Sequence, residues 1–219
     1  MINCSCPRAR SLALNPTERL TRDAALLGVP LGEPDAQRLL LLLDELAHWN
    51  QRFNLTAITE REAMITHHLL DSLSIHPELA GQQIADVGTG AGFPGLPLAV
   101  VNPQRRFTLI DGSAKKIRFV TNTASAMGLA NVTAVHARSE TFTPGAPLDT
   151  VITRALAPLP RLVQMVAPMC APGTRVLAMK GRRPDAEIAA LPPPWQLRAE
   201  REITVPGLDA ARCVLTLGR

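Results

Sequence analysis

Asp86, Gly88, Gly90 and Gly92 stand at alternate positions within the run 84–101, followed directly by Phe93, Pro94 and Gly95. Glycine has no Cβ and tolerates positive φ, so a backbone of this composition turns sharply and lets a ligand come close. Ile84 to Val87 reads as a short buried strand. The residues from Pro94 read as a helix, because proline suits a first helical turn. Such a turn predicts free N–H groups and the positive end of a helix dipole facing the ligand. Asp111 ends the next apolar run, Phe107 to Ile110. A carboxylate there can accept both hydroxyls of a ribose. The chemistry on offer is the binding of a cofactor that contains a nucleoside.

Two cofactor classes use a turn of this kind. Gly90, Gly92 and Gly95 satisfy the G-x-G-x-x-G spacing of dinucleotide sites, so an NAD(P)-dependent oxidoreductase stays open on spacing alone. The pattern Asp86-x-Gly88-x-Gly90-x-Gly92, with its acid two positions before the first glycine, resembles motif I of the class I S-adenosylmethionine (AdoMet) methyltransferases. Tyrosine is absent from the chain, which removes the Ser/Tyr/Lys set a hydride-transfer enzyme would use.

The elements that position these residues fall into two parts. Residues 1–14 read as a disordered terminus. Residues 15–80 read as a helical cap. In it Asn15 caps a helix over 16–27, and a long amphipathic helix over 35–52 carries Leu39, Leu42, Leu43, Leu46 and Trp49 on one stripe. Thr59 with Glu62 has the spacing of a capping box for a third helix, which ends in His67-His68-Leu69-Leu70-Asp71-Ser72-Leu73. From 81 to 219 strand-like and helix-like segments alternate. Strands are expected at 84–87, 107–110, 132–136, 150–153, 175–179, 197–204 and 212–217. Helices are expected at 94–101, 114–127, 158–167 and 184–191. Alternation predicts a mostly parallel, Rossmann-like sheet of seven strands with helices on both faces and an antiparallel pair at the end.

Ligands of such sheets bind beyond the carboxyl ends of the strands. Ser113, Lys115, Lys116 and Arg118 follow the second strand, and His136, Arg138, Ser139 and Glu140 the third. Arg154 follows the fourth, and Lys180, Arg182 and Arg183 the fifth. Lys115 and Lys116 oppose the dipole of the helix they open, so both are candidates for RNA phosphate contact with Arg118 and the 180–183 cluster. Arg154 is too costly to bury unpaired. It either pairs with a nearby acid such as Asp149 or holds a ligand carboxylate or phosphate. Ser139 and Glu140 suit the loop beside an adenine ring.

The formal net charge is +4, and only Lys115, Lys116 and Lys180 among the 23 basic residues are lysine. Aromatics make up 3% of the chain, too few for the stacking platform of an RRM. No window has the apolar length of a membrane span, and the apolar patch Ser11–Leu14 is too short for a signal peptide. A cytoplasmic protein is expected. Four cysteines make no disulfide framework at this size. Cys4 and Cys6 lack partners for zinc, so no metal is expected.

Four segments carry a closer resemblance. Asn54-Leu55-Thr56, His68-Leu69-Leu70-Asp71-Ser72-Leu73, the motif from Asp86 through Gly95, and Thr153-Arg154-Ala155 resemble, in order, the signatures of the RsmG (GidB) family. The resemblance runs from Asp35 to Gly181. It implies an AdoMet-dependent enzyme that methylates N7 of a guanine in the decoding region of 16S ribosomal RNA, with the RNA or the small subunit as partner. A monomer is expected. Carried over, the cofactor contacts are Gly88, Gly90, Phe93, the Asp111–Ser113 turn, Ser139, Glu140 and Arg154. The chain departs from the family's usual residues at Thr89, Ser139 and Thr153, all small changes. No catalytic base is assigned, since N7 methylation removes no proton. Amino-group methylation would show an Asn/Asp-Pro-Pro-aromatic loop where this chain has Thr153–Pro158, and cytosine C5 chemistry would need a nucleophilic cysteine. A ribosome-binding factor that has kept the fold without catalysis is the remaining alternative.

Overall fold

The computed structural model describes residues 15–219. The expected terminal disorder of 1–14 and the pair Cys4 and Cys6 lie outside the described residues. Helix α1 (Pro16–Leu26) opens with Asn15 and Glu18 in a reciprocal capping box. Helix α2 (Glu33–Phe53) buries Ala36, Leu39, Leu42, Leu43 and Leu46. Trp49 extends that stripe and packs edge-on against Phe119, with ring centroids 5.6 Å apart. Helix α3 (Arg61–Met64) starts one residue later than the Thr59–Glu62 spacing predicts. Its cap is Glu60, whose carboxylate accepts from the Glu62 and Ala63 N–H groups; a carboxylate also suits the positive end of the helix. The chain continues through a π-helical turn, Ile65–Leu70, into α4 (Asp71–Leu73). Wide turns of this kind cluster at functional sites.

Seven strands follow: β1 (Gln83–Val87), β2 (Arg106–Asp111), β3 (Val132–His136), β4 (Thr150–Arg154), β5 (Arg175–Lys180), β6 (Gln196–Ile203) and β7 (Arg212–Gly218). The sheet order is β3-β2-β1-β4-β5-β7-β6. The first five strands run parallel, and β7 lies antiparallel between β5 and β6. Helices α5 (Gly95–Val100), α6 (Ala114–Ala126), α7 (Leu159–Val166) and α8 (Asp185–Ala189) connect the strands.

Alternate residues of each strand point to opposite faces, and two cores result. Ile84, Phe107, Leu109, Ile152 and Leu177 face one core, shared with α1, α2, the 61–73 segment, α5 and α6. Ala85, Val87, Val151, Val176 and Leu215 face the other, shared with α7 and Trp195. The 15–80 helices therefore sit on the sheet through the first core. Burying their leucines stabilises by roughly 1.5–3 kcal/mol for each side chain. A distant ion pair adds to the attachment: Arg201 of β6 meets Glu78 at 2.6 Å, while Arg19 and Glu62 pair within the helical part itself.

Candidate active site

Chain order and sheet order diverge between β1 and β4: the chain leaves β1 toward β2 on one side and later returns to β4 on the other. A crevice opens beyond the strand ends at such a switch point. Here it is a cleft of about 490 Å³, lined among others by Gly88, Asp111, Ser139, Glu140 and Arg154. Small-molecule sites run from about 300 to 1,000 Å³.

The turn after β1 holds its shape through its own acid. Asp86 is fully buried; its Oδ2 accepts from the Thr89 hydroxyl at 2.6 Å and the Gly95 N–H at 2.8 Å. Burial pushes its pKa up to about 6, against the lowering effect of those two hydrogen bonds. Its Oδ1 has no partner. The expectation that free helix N–H groups face the ligand is corrected here. Gly95 N–H, the first of α5, goes to Asp86, while Gly92 and Phe93 donate to the Thr89 carbonyl. Pro94 stands before α5 rather than in its first turn. Gly90 is the position left open. Its φ is +61°, and a Cβ built there would meet only the Gly88 carbonyl oxygen, at 4.0 Å. A ligand can therefore lie against this backbone.

Asp111 ends β2 on the opposite wall. Its Oδ2 accepts from Gly90 N–H at 3.0 Å and its Oδ1 from Ser113 N–H at 2.8 Å. A carboxylate accepts about four hydrogen bonds, so it keeps capacity for a diol. Ser113 caps α6 by position without a side-chain bond. Ser139 is buried in a short 3₁₀ turn and donates to Glu140 at 3.0 Å. The donor set and the open glycine face fit a nucleoside cofactor.

Phe93 lies beneath this site rather than on its surface. It is 3% exposed and stacks on His68, with centroids 4.7 Å apart. The Arg154 guanidinium sits 5.7 Å from the same ring. Of the histidine pair, His68 is the packed one. Its Nε2 meets the Thr56 hydroxyl at 3.0 Å, and burial, then the Arg154 charge, lower its pKa to about 4. Arg154 does not pair with Asp149, which instead accepts from the Gln82 and Gln83 N–H groups. It donates to Asp71 Oδ2 at 3.1 Å and to the His67 carbonyl at 3.2 Å.

The candidate RNA-contacting cations separate. Lys115 donates to the Phe53 carbonyl at 2.8 Å, which places its charge at the negative end of α2. The cost it incurs at the start of α6 is thereby offset. Lys116 lines the cleft at the β1–β4 switch point, 3.7 Å from Asp111. Lys180 pairs with Glu187 at 2.8 Å and Arg183 with Glu200 at 2.7 Å. Arg118 and Arg182 are exposed. Sequence reasoning gave no site role to Asp71 or Arg212, which meet at 2.8 Å. Asp71 had a signal in the His-x-Leu-Asp-Ser-Leu segment; Arg212 had none. Among the described residues no cluster of three or more potential metal ligands occurs, and no helix is long and apolar enough to cross a membrane.

Comparison with known proteins gives the family and the fold. The family model described as rRNA small subunit methyltransferase G (GidB) matches residues 35–215. A Methylococcus capsulatus protein named ribosomal RNA small subunit methyltransferase G is 46% identical over 193 residues, covering 88% of this chain and 94% of that one. A Pseudomonas aeruginosa protein of the same name is 42% identical over 203 residues, covering 92% and 95%. Among solved structures, a coclaurine N-methyltransferase superposes with a TM-score of 0.56 at 10% identity over 93% of this chain and 94% of that one. TrmN from Thermus thermophilus superposes with 0.53 at 20% identity over 71% and 53%. These likenesses show the Rossmann-like class I methyltransferase fold. None of these relatives supports the oxidoreductase or the non-catalytic factor. The chain belongs to the ribosomal RNA small subunit methyltransferase G family.

Proposed function

We propose that this protein is an AdoMet-dependent methyltransferase that modifies N7 of a guanine in the decoding region of 16S ribosomal RNA. The observation that carries the reading is the cleft at the β1–β4 switch point, lined by Gly88, Asp111, Ser139, Glu140 and Arg154, in a chain of this family. AdoMet, when bound, supplies a methyl group on a positively charged sulfur. The chain's part is to hold and to align. Asp111 takes the ribose hydroxyls, braced by Gly90 and Ser113. Ser139 and Glu140 read the adenine edge, and the Gly88–Gly90 backbone admits the cofactor with Phe93 below it. Arg154 stands at the far end of the cleft, where it can hold a carboxylate.

Guanine N7 carries an in-plane lone pair and no proton. Orientation and charge placement are therefore sufficient, without a general base. A cysteine-nucleophile route finds no support. Cys170 is buried in the second core, and burial pushes its thiol up to about 11, away from the thiolate a nucleophile needs. Lys115, Lys116, Arg118, Lys180, Arg182 and Arg183 are the cations offered to RNA phosphate, with Lys115, Lys116, Lys180 and Arg183 also engaged within the protein. Residues 15–80 act as a cap on residues 81–219, in a cytoplasmic monomer. Mass-mapping of 16S rRNA from a strain lacking the gene tests the reading. Loss of one 7-methylguanosine is expected, and an unchanged pattern overturns it.

A further inference from the structure

Beside the cofactor cleft lies a second cavity of about 420 Å³. Arg154 and Ala155 line both, so the two spaces share a wall at the end of β4. Ala155 has φ +50°, a left-handed conformation uncommon for alanine; strain of this kind concentrates at functional sites. Arg154, Lys180 and Arg212 bring positive charge to the cavity, and Ile58 and Met179 bring apolar surface. Asp71 ties the wall together. Its carboxylate is 4% exposed, with Oδ2 on Arg154 and Oδ1 on Arg212 at 2.8 Å. His68, more than nine-tenths buried, also lines the cavity, and its Nδ1 has no partner. Arg212 and Gly181 continue into a third cavity of about 660 Å³, where Arg182, Arg183 and Arg201 face Glu200, Glu202 and Asp209.

We infer that the second cavity receives the flipped-out acceptor guanine, and that Asp71 is the positioning residue that aims Arg154 at it. The inference rests on the methyltransferase reading and adds where the acceptor sits. Guanine presents O6, an acceptor, beside N7; adenine presents an amino donor at the same place. A wall of cations receives the first and disfavours the second. Arginine has five N–H donors, and only two from Arg154 go to Asp71 and the His67 carbonyl; the remainder serve the two spaces it lines, the cofactor carboxylate on one side and O6 on the other. N7 gains the methyl carbon as the carbon–sulfur bond breaks, the bonding pair stays on sulfur, and the positive charge passes to the purine. No proton, oxidant or further reactant is involved. The Asp71 carboxylate holds down the positive charge around a ring that becomes cationic.

Two variants test this on the full-length protein, with AdoMet affinity from calorimetry and methyl transfer to small subunits from a methylation-deficient strain. Ile58→Trp fills the cavity from a partly exposed position without touching the cofactor cleft. AdoMet affinity is expected to stay at the wild-type value while transfer falls about a hundredfold, the cost of misplacing a reacting group. Asp71→Asn is expected to lower kcat by a larger factor than it raises the KM for AdoMet, because Arg154 lines both spaces, with partial recovery in Asp71→Glu. Wild-type transfer rates in a variant that binds AdoMet overturn the inference. Failure of the wild-type protein itself to bind AdoMet would instead remove the functional reading beneath it.

Discussion

In the cofactor cleft most polar contacts are short in sequence, and the bond from Gly90 N–H to Asp111 spans only 21 residues. Asp86 reaches Thr89 and Gly95, Asp111 reaches Ser113, and Ser139 reaches Glu140. In the cavity beside it they span the chain: Asp71 meets Arg154 83 residues away and Arg212 141 residues away. The first site is built by loops that inherit their direction from the strand before them. The second exists only when the 61–73 segment, β4 and β7 have all docked. A change in the first should act on the cofactor and leave the fold standing, whereas a change in the second should act on stability and transfer together.

The strongest way to break that contrast is Gly90→Val. A β-branched side chain at φ +61° is strained, and its methyl groups fill the space kept for the cofactor. Calorimetry should detect no AdoMet binding; near-normal affinity refutes the placement of the turn. Next comes Asp71→Ala, which leaves Arg154 and Arg212 partly buried without their shared partner. A loss of about 3–5 kcal/mol in urea unfolding is expected, and a loss below about 1 kcal/mol makes the long-range clamp unimportant.

The two regions also respond to pH with opposite sign. His68 has its pKa lowered from 6.5 to about 4, so the unfolded chain takes up the proton first, and this stabilisation is lost as pH falls from about 6.5 toward 4. Asp86 has its pKa raised from 3.8 to about 6, so the folded chain keeps the proton longer, and this stabilisation is lost as pH rises from 3.8 through 6. The slopes oppose each other over the same window. Relative to wild type, Asp86→Asn should gain about 3 kcal/mol between pH 4 and 6; a constant difference removes the buried-acid explanation. The smallest effect concerns the two lysines that open α6. Lys115→Ala with Lys116→Ala should flatten the salt dependence of subunit binding by about one unit of slope for each lysine that meets phosphate. An unchanged slope confines both lysines to the intramolecular contacts seen with Phe53 and Asp111.

The same contrast explains what the sequence made legible. The glycine turn, Asp111 and the seven strands follow from local pattern, and each strand lies within a residue or two of its expected span. Burial is what hid the rest. The role of Asp86 as the internal partner of α5 follows from its burial in the core, which the order of residues does not reveal. Glu60 took the capping position from Thr59 because its longer side chain reaches the two orphan N–H groups. Arg154 was expected beside Asp149 or a ligand. Its partner, Asp71, comes from the far end of the 61–73 segment, brought near by packing of the first core. Arg212 sits in a strand whose sequence reads only as alternating β structure. No spacing rule connects it to Asp71.

Methyl-labelled AdoMet, small subunits from a methylation-deficient strain and the purified protein bring both regions into one assay. After digestion and nucleoside identification, label is expected in 7-methylguanosine from the decoding region of 16S rRNA. Label on another atom, or no transfer by protein that demonstrably binds AdoMet in the β1–β4 cleft, contradicts the assignment.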